Sequence, residues 1–326
     1  MKRGLPAALH NGGAGLSLFT EADLDDMHRA TLQTLERTGV SVEADDAIDI
    51  FADGGCKVDR ESHIVKIPPD VVTRSLNTVP SYFLLGGRNP ENDVMVEVGR
   101  VTVAPFAEGL CVYDLDTGEY RESTKQDVAD ICHVTDALDH IEINIVGVTA
   151  RDVSEVTAEI HHIEAALEHT TKPLVLSMTS AEMANNGYEI AAAVAGGMDK
   201  LRERPLLCYG TCPVGPSVLT AICTDMAIAT ARAGMPWCCI AMDMSGASSP
   251  VTLAGTLVVQ NTELLSCLVL NQLVNPGNGF YYGTSTCAFD LRIGSACVGT
   301  PETALYQAGT AAMANHYNVP SWTAGY

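Results

Sequence analysis

One acidic side chain opens a run of tiny and hydroxyl residues at Asp243-Met244-Ser245-Gly246-Ala247-Ser248-Ser249-Pro250. A second polar stretch, Gly283 to Gly299, follows Tyr282 and carries Thr284, Asp290 and Arg292. Similar segments close other apolar runs: Thr149-Ala150-Arg151-Asp152, Ser177-Met178-Thr179-Ser180, Tyr209-Gly210-Thr211-Cys212-Pro213 and the final Ala324-Gly325-Tyr326. Hydroxyls, small side chains and methionines dominate them, and the charges are Arg151, Asp152, Asp243, Asp290 and Arg292. Walls of this kind suit a small, weakly polar ligand better than a sugar phosphate or a nucleotide. The expected ligand wall is Tyr209, Asp243, Ser245, Tyr282, Thr284, Asp290, Arg292 and Tyr326. The rings of Tyr209, Tyr282 and Tyr326 offer π faces to a cation, with packing as the alternative role for Tyr282. Asp243 has a plainer alternative as a helix N-cap.

Other chemistries fit less well. No G-x-x-x-x-G-K-S/T and no G-x-G-x-x-G after a strand is present, so phosphate cradles are not expected. His161 and His162 are adjacent on a helix and diverge by about 100°. Cys208 and Cys212 have no nearby histidine, and no metal site is expected. Ser245-Gly246-Ala247-Ser248 lacks the G-x-S-x-G form of a nucleophile elbow.

Composition narrows the class further. The chain has 326 residues, 47% hydrophobic and 18% charged, enough for one large domain or two modest ones. Lys and Arg number 19 against 40 Asp and Glu, a formal charge of -21. Such a balance argues against nucleic acid and anionic membrane as partners; it would attract a small cationic substrate, and a solvated acidic surface is the plainer reading of most of these charges. Eleven cysteines form no C-x-x-C pair, and several sit inside apolar runs. Met1-Lys2-Arg3-Gly4 leads into a Gly-rich opening without an apolar h-region, so a cytoplasmic setting with reduced thiols is expected. Between Leu253 and Val274, Gln260, Asn261, Glu263, Asn271 and Gln272 interrupt the apolar run, which reads as a buried helix rather than a membrane span.

The elements that must position these loops alternate regularly. Residues 1–99 mix short helices and strands without a repeat and are expected to form an α+β cap. From residue 100 onward, strands are expected at 100–106, 143–148, 174–178, 206–209, 237–242, 280–284 and 320–323. Helices are expected between them, at 123–138, 155–169, 181–195, 217–233, 251–274 and 301–317. Buried strand, polar loop and returning helix make the cadence of a parallel β/α fold, whose ligand sites lie at the carboxyl ends of strands. The expected class is α/β, a (β/α)8 TIM barrel incomplete at the C-terminus over 100–326. Eight strands close such a barrel and seven candidates are present, so a fragment is expected. An open doubly wound sheet is the alternative.

The run from Ala241 to Leu257 resembles the trimethylamine:corrinoid methyltransferase family. So do Tyr282-Gly283-Thr284-Ser285-Thr286-Cys287-Ala288-Phe289-Asp290-Leu291-Arg292, Gly299-Thr300-Pro301-Glu302, Pro320-Ser321-Trp322-Thr323-Ala324-Gly325 and, nearer the start, Phe51 to Asp59. The resemblance spans nearly the whole chain. It implies a (β/α)8 barrel that passes a methyl group from trimethylamine to a separate corrinoid protein. The corrinoid is then carried by that partner and not bound directly. Pyrrolysine, encoded by an amber codon, is implied at or just after Tyr326, and the chain without it is expected to be inactive. A betaine-type methyltransferase without pyrrolysine is the alternative within the family, where Arg292 would meet the betaine carboxylate. A module that only docks the corrinoid protein is the alternative outside catalysis. A homo-oligomer is expected.

Overall fold

The computed structural model describes residues 18–107 and 109–324. Its class is α/β, with parallel strands and returning helices consistent with an incomplete (β/α)8 barrel. The chain divides into two compact units, one of residues 83–96 and 100–209, the other of residues 18–82, 97–99 and 210–324.

In the first unit, Thr124 caps the helix Lys125–Ala137 with a reciprocal capping box to Asp127. The strand Asn144–Ile145 pairs in parallel with Leu174–Ser177, and the helix Ala158–His169 connects them. Ser180 caps the helix Ala181–Ala195, Gly196 ends it in the left-handed conformation, and a short helix, Met198–Glu203, follows. The segment 100–106 does not form the expected strand. Its side chains Val101, Val103 and Phe106 face solvent, and the Val103 N–H is taken by the Glu142 carboxylate at 2.8 Å. Its β-branched residues give it strand propensity, but no apolar layer covers it.

The second unit is built around the 22-residue helix Leu253–Val274. By length and composition it could cross a membrane, yet most of it is buried inside the fold. Packed against it are the helices Glu21–Arg37, Asp45–Asp53, Pro69–Thr78, Ala221–Ala233 and Pro301–His316. Several of its polar side chains are buried with partners. Gln260 donates to Thr310 at 2.7 Å, and Asn261 donates to Thr31 and Tyr317 at 2.9 and 2.8 Å. Beside it run three parallel strands, Trp237–Ala241, Phe280–Thr284 and Ser321–Thr323, with Trp237 opposite Phe280 and Ala241 opposite Thr284.

Two loop readings are corrected in this unit. The helix expected from Ser217 begins at Ala221, because Val218–Leu219 pairs in parallel with Val40–Val42, and Thr220 then caps the helix. The stretch expected as a loop from Gly283 to Gly299 contains a hairpin, Cys287–Asp290 against Ser295–Cys297. Gly294, at φ 66°, allows its turn. Met244–Ser245, inside the other expected loop, pairs in parallel with Cys287 and Ala288.

Candidate functional site

Asp243 lies two residues beyond the strand Trp237–Ala241 and is fully buried. Its backbone is strapped to the end of the next strand. Its N–H donates to Thr286 Oγ1 at 3.1 Å, and its carbonyl accepts the Cys287 N–H at 3.1 Å. The Thr286 N–H in turn donates to Thr284 Oγ1, which donates to Gln260 on the central helix at 2.8 Å. Thr252, not Asp243, caps that helix. The Asp243 side chain is thus held in place by main-chain bonds while both carboxylate oxygens lack a hydrogen-bond partner. Burial pushes its pKa up to about 7.

Glu263 projects from the middle of the same central helix and is also fully buried. One of its oxygens accepts the Ser217 N–H at 2.7 Å and the other has no partner. Burial raises its pKa well above the ordinary carboxylate value, and the nearby Asp243 charge raises it further. Two carboxylates that each resist ionisation in the other's presence hold one proton between them more readily than none. Ser217 adopts a left-handed φ of 56°, unusual outside glycine, at the point where Glu263 holds it. Gly215 sits against Asp243: a Cβ there would lie 2.6 Å from Asp243 Oδ1 and 3.1 Å from Ser248 Oγ.

The other expected wall residues are spread more widely. Ser245 is buried and donates to the Pro250 carbonyl at 3.2 Å. Thr284 and Tyr282 share a strand face toward the central helix, where the Tyr282 hydroxyl donates to Asn261 at 2.6 Å. By strand alternation Tyr281 faces the opposite way, with its ring 5.5 Å from that of Trp322. Asp290 and Arg292 lie on the hairpin, joined by a bond from the Arg292 N–H to the Asp290 carboxylate, and Arg292 is exposed. In the first unit, Tyr209 is buried against Tyr188, with ring centroids 4.6 Å apart, and donates to the Ala184 carbonyl at 3.2 Å. Tyr326 lies outside the described residues.

Asp243, Ser245 and Thr284 are therefore tied to one strand-end region, while Glu263, Gly215 and Ser217 join it without having been singled out. A signal for Glu263 existed: it is the only charged residue in 22 otherwise uncharged helical positions. Among the described residues, no three His, Cys, Asp or Glu side chains are arranged to hold a metal ion. A buried carboxylate pair with unpartnered oxygens suits a cationic ligand that carries a hydrogen-bond donor.

Comparison with known proteins places the chain in a family. The family model for trimethylamine methyltransferase (MTTB) matches residues 4–326. The chain belongs to the trimethylamine methyltransferase family. Trimethylamine methyltransferase MttB of Desulfitobacterium hafniense (strain DSM 10664 / DCB-2) is 40% identical over 313 residues, 96% of this chain and 63% of that protein. MttB of Methanosarcina thermophila is 37% identical over 318 residues, 96% of this chain and 66% of that protein. The chain therefore spans about two thirds of the length of these MttB relatives. A glycine betaine methyltransferase of D. hafniense (strain Y51) is 30% identical over 312 residues, 95% of this chain and 64% of that protein. Among solved structures, the Methanosarcina barkeri monomethylamine methyltransferase (MtmB) superposes with a TM-score of 0.54 at 16% identity. That match covers 93% of this chain and 66% of MtmB, and it supports the fold.

Proposed function

We propose that the protein serves in methyl transfer from trimethylamine to a cognate corrinoid protein. The observation that carries this reading is the family match across residues 4–326. The partner's corrinoid supplies the acceptor for the methyl group. This chain binds and orients the amine in its protonated form, so that the carbon–nitrogen bond breaks with its electron pair returning to nitrogen, which keeps its proton and leaves as dimethylamine. The amine's wall draws on Asp243, Ser245 and Thr284, with Tyr282 on the same strand as Thr284 and Asp290 and Arg292 on the adjoining hairpin. In this reading residues 1–99 are the cap and 100–326 the partial barrel of a cytoplasmic homo-oligomer.

The test is a methyl-transfer assay on the protein expressed from its complete gene with pyrrolysine supplied. Trimethylamine should methylate cob(I)alamin in the presence of the cognate corrinoid protein, with dimethylamine released in equal amount. The 30% identity to a glycine betaine methyltransferase keeps a second reading in view. Transfer from betaine alone would establish that one, and corrinoid-protein binding without turnover would reduce the chain to a docking module.

A further inference from the structure

The proposed activity leaves open how the amine is recognised. Asp243 and Glu263 together present three buried oxygens without a hydrogen-bond partner, Oδ1 and Oδ2 of Asp243 and one oxygen of Glu263. An anion is repelled by this pair. A neutral apolar ligand would leave all three oxygens unsatisfied, which buried acceptors rarely tolerate. A metal ion lacks a third ligand among the described residues. What remains is an organic cation with an N–H.

Resting on the proposed activity, we propose that Asp243, backed by Glu263, accepts the N–H of a protonated tertiary amine and thereby selects trimethylammonium over quaternary ammonium ligands. Gly215 belongs to this device. Its backbone packs so closely on the carboxylate that a Cβ would lie 2.6 Å from Asp243 Oδ1, so any larger residue would displace that oxygen. Neither Asp243 oxygen touches solvent, so occupation requires the Gly215–Ser217 segment to lift, and Glu263 holds that segment through the Ser217 N–H. A charged hydrogen bond formed out of water favours the donor-bearing cation by about tenfold or more. Betaine loses on two counts, having no N–H and bringing a carboxylate toward the pair.

The groups around the pair set its pH dependence. Cys223 faces it from the helix Ala221–Ala233 and Cys267 from the same helix as Glu263. Cys239, on the strand Trp237–Ala241, is linked to both thiols. Burial keeps Cys239 and Cys267 protonated at neutral pH, and Glu263 keeps its proton by burial and by the Asp243 charge. Hydrogen bonds from Cys239 and Cys267 lower the Cys223 thiol instead, and Asp243 titrates near 7, so affinity for the cation should fall as pH drops below about 7.

Calorimetric titration of the protein with trimethylammonium chloride, tetramethylammonium chloride and glycine betaine tests this without any turnover. The expected result is about tenfold or more weaker binding of the two quaternary ligands. A like loss for trimethylammonium is expected in Asp243→Asn. Glu263→Gln should still bind trimethylammonium selectively, because Gln stands in for the protonated acid beside Asp243. Should Asp243→Asn not fold, the fall of wild-type affinity for trimethylammonium below pH about 7 decides the matter. Equal affinity for trimethylammonium and tetramethylammonium overturns the proposal, as do an unchanged affinity in folded Asp243→Asn, a wild-type affinity for trimethylammonium that does not fall below pH about 7, or no binding at all. Selective trimethylammonium binding without methyl transfer would leave the site standing and remove the activity. Transfer from trimethylamine with Asp243→Asn at wild-type affinity would do the reverse.

Discussion

At the scale of single residues, Asp243 should cost the fold stability in a way that depends on pH. Its carboxyl has an ordinary value of 3.8, and burial raises it to about 7. The folded chain therefore keeps a proton that the unfolded chain has already released between those values. Stability is full below pH 4 and is lost as pH rises through 7, by an amount on the order of 4 kcal/mol. Asp243→Asn removes the titration while keeping the shape. In urea unfolding the wild type should weaken from pH 5 to pH 8, and the variant should weaken less, its remaining fall coming from the buried Glu263, and be the more stable protein at pH 8. A variant less stable than wild type at pH 8 would show that the carboxylate has a compensating partner. Asp243 was visible in the sequence as a lone acid among small residues. Glu263 carried a weaker signal, because a glutamate inside an apolar run reads first as an interruption of that run. Only the packing of helices on every side of it turns the interruption into a buried charge.

At the scale of elements, the helix Leu253–Val274 is the hub, and its polar residues decide how the neighbouring elements dock. Asn261 joins three of them: its amide donates to Thr31 of the helix Glu21–Arg37 and to Tyr317 after the helix Pro301–His316, and its carbonyl accepts from Tyr282 on the strand Phe280–Thr284. Asn261→Ala strands those buried partners and opens a small void. The expected loss is about 2–4 kcal/mol, read as a lower urea midpoint with an unchanged slope. A loss below 1 kcal/mol would mean that water or a rearranged Tyr317 takes over the bonds. The Tyr317 hydroxyl already meets His28 Nδ1 at 3.0 Å, so it has an alternative partner and the Tyr282 hydroxyl is the one most exposed to the change. Strands such as Trp237–Ala241 and Phe280–Thr284 were legible from apolar runs between turn residues. The misread segments share a cause. Residues 100–106 have strand propensity without a covering layer. Val218–Leu219 and Met244–Ser245 are too short to announce themselves and pair only because distant residues, Val40–Val42 and Cys287–Ala288, come alongside.

At the scale of the whole molecule, the excess of acid works against compactness. With a formal charge of -21, most carboxylates have no cation available to pair with. Asp225 gives a local instance, its pKa raised by burial and by the neighbouring Asp46 charge. The ion pairs that do form are mostly between exposed side chains, such as Lys200 with Glu203 and Arg202 with Asp199, and pairs of that kind contribute little. Salt therefore has two opposed effects, weakening these few pairs and screening the far more numerous repulsions. Repulsion should win, because it acts across the whole surface over distances near the Debye length, about 30 Å at 0.01 M and 8 Å at 0.15 M. Raising sodium chloride across that range should lift the thermal midpoint by a few degrees. Sodium and potassium chloride should act alike, since screening depends on ionic strength and not on the ion. A midpoint that falls with added salt would mean that the ion pairs, Arg121 with Asp127 and Arg204 with Asp93 first among them, carry more of the stability than their partial exposure suggests.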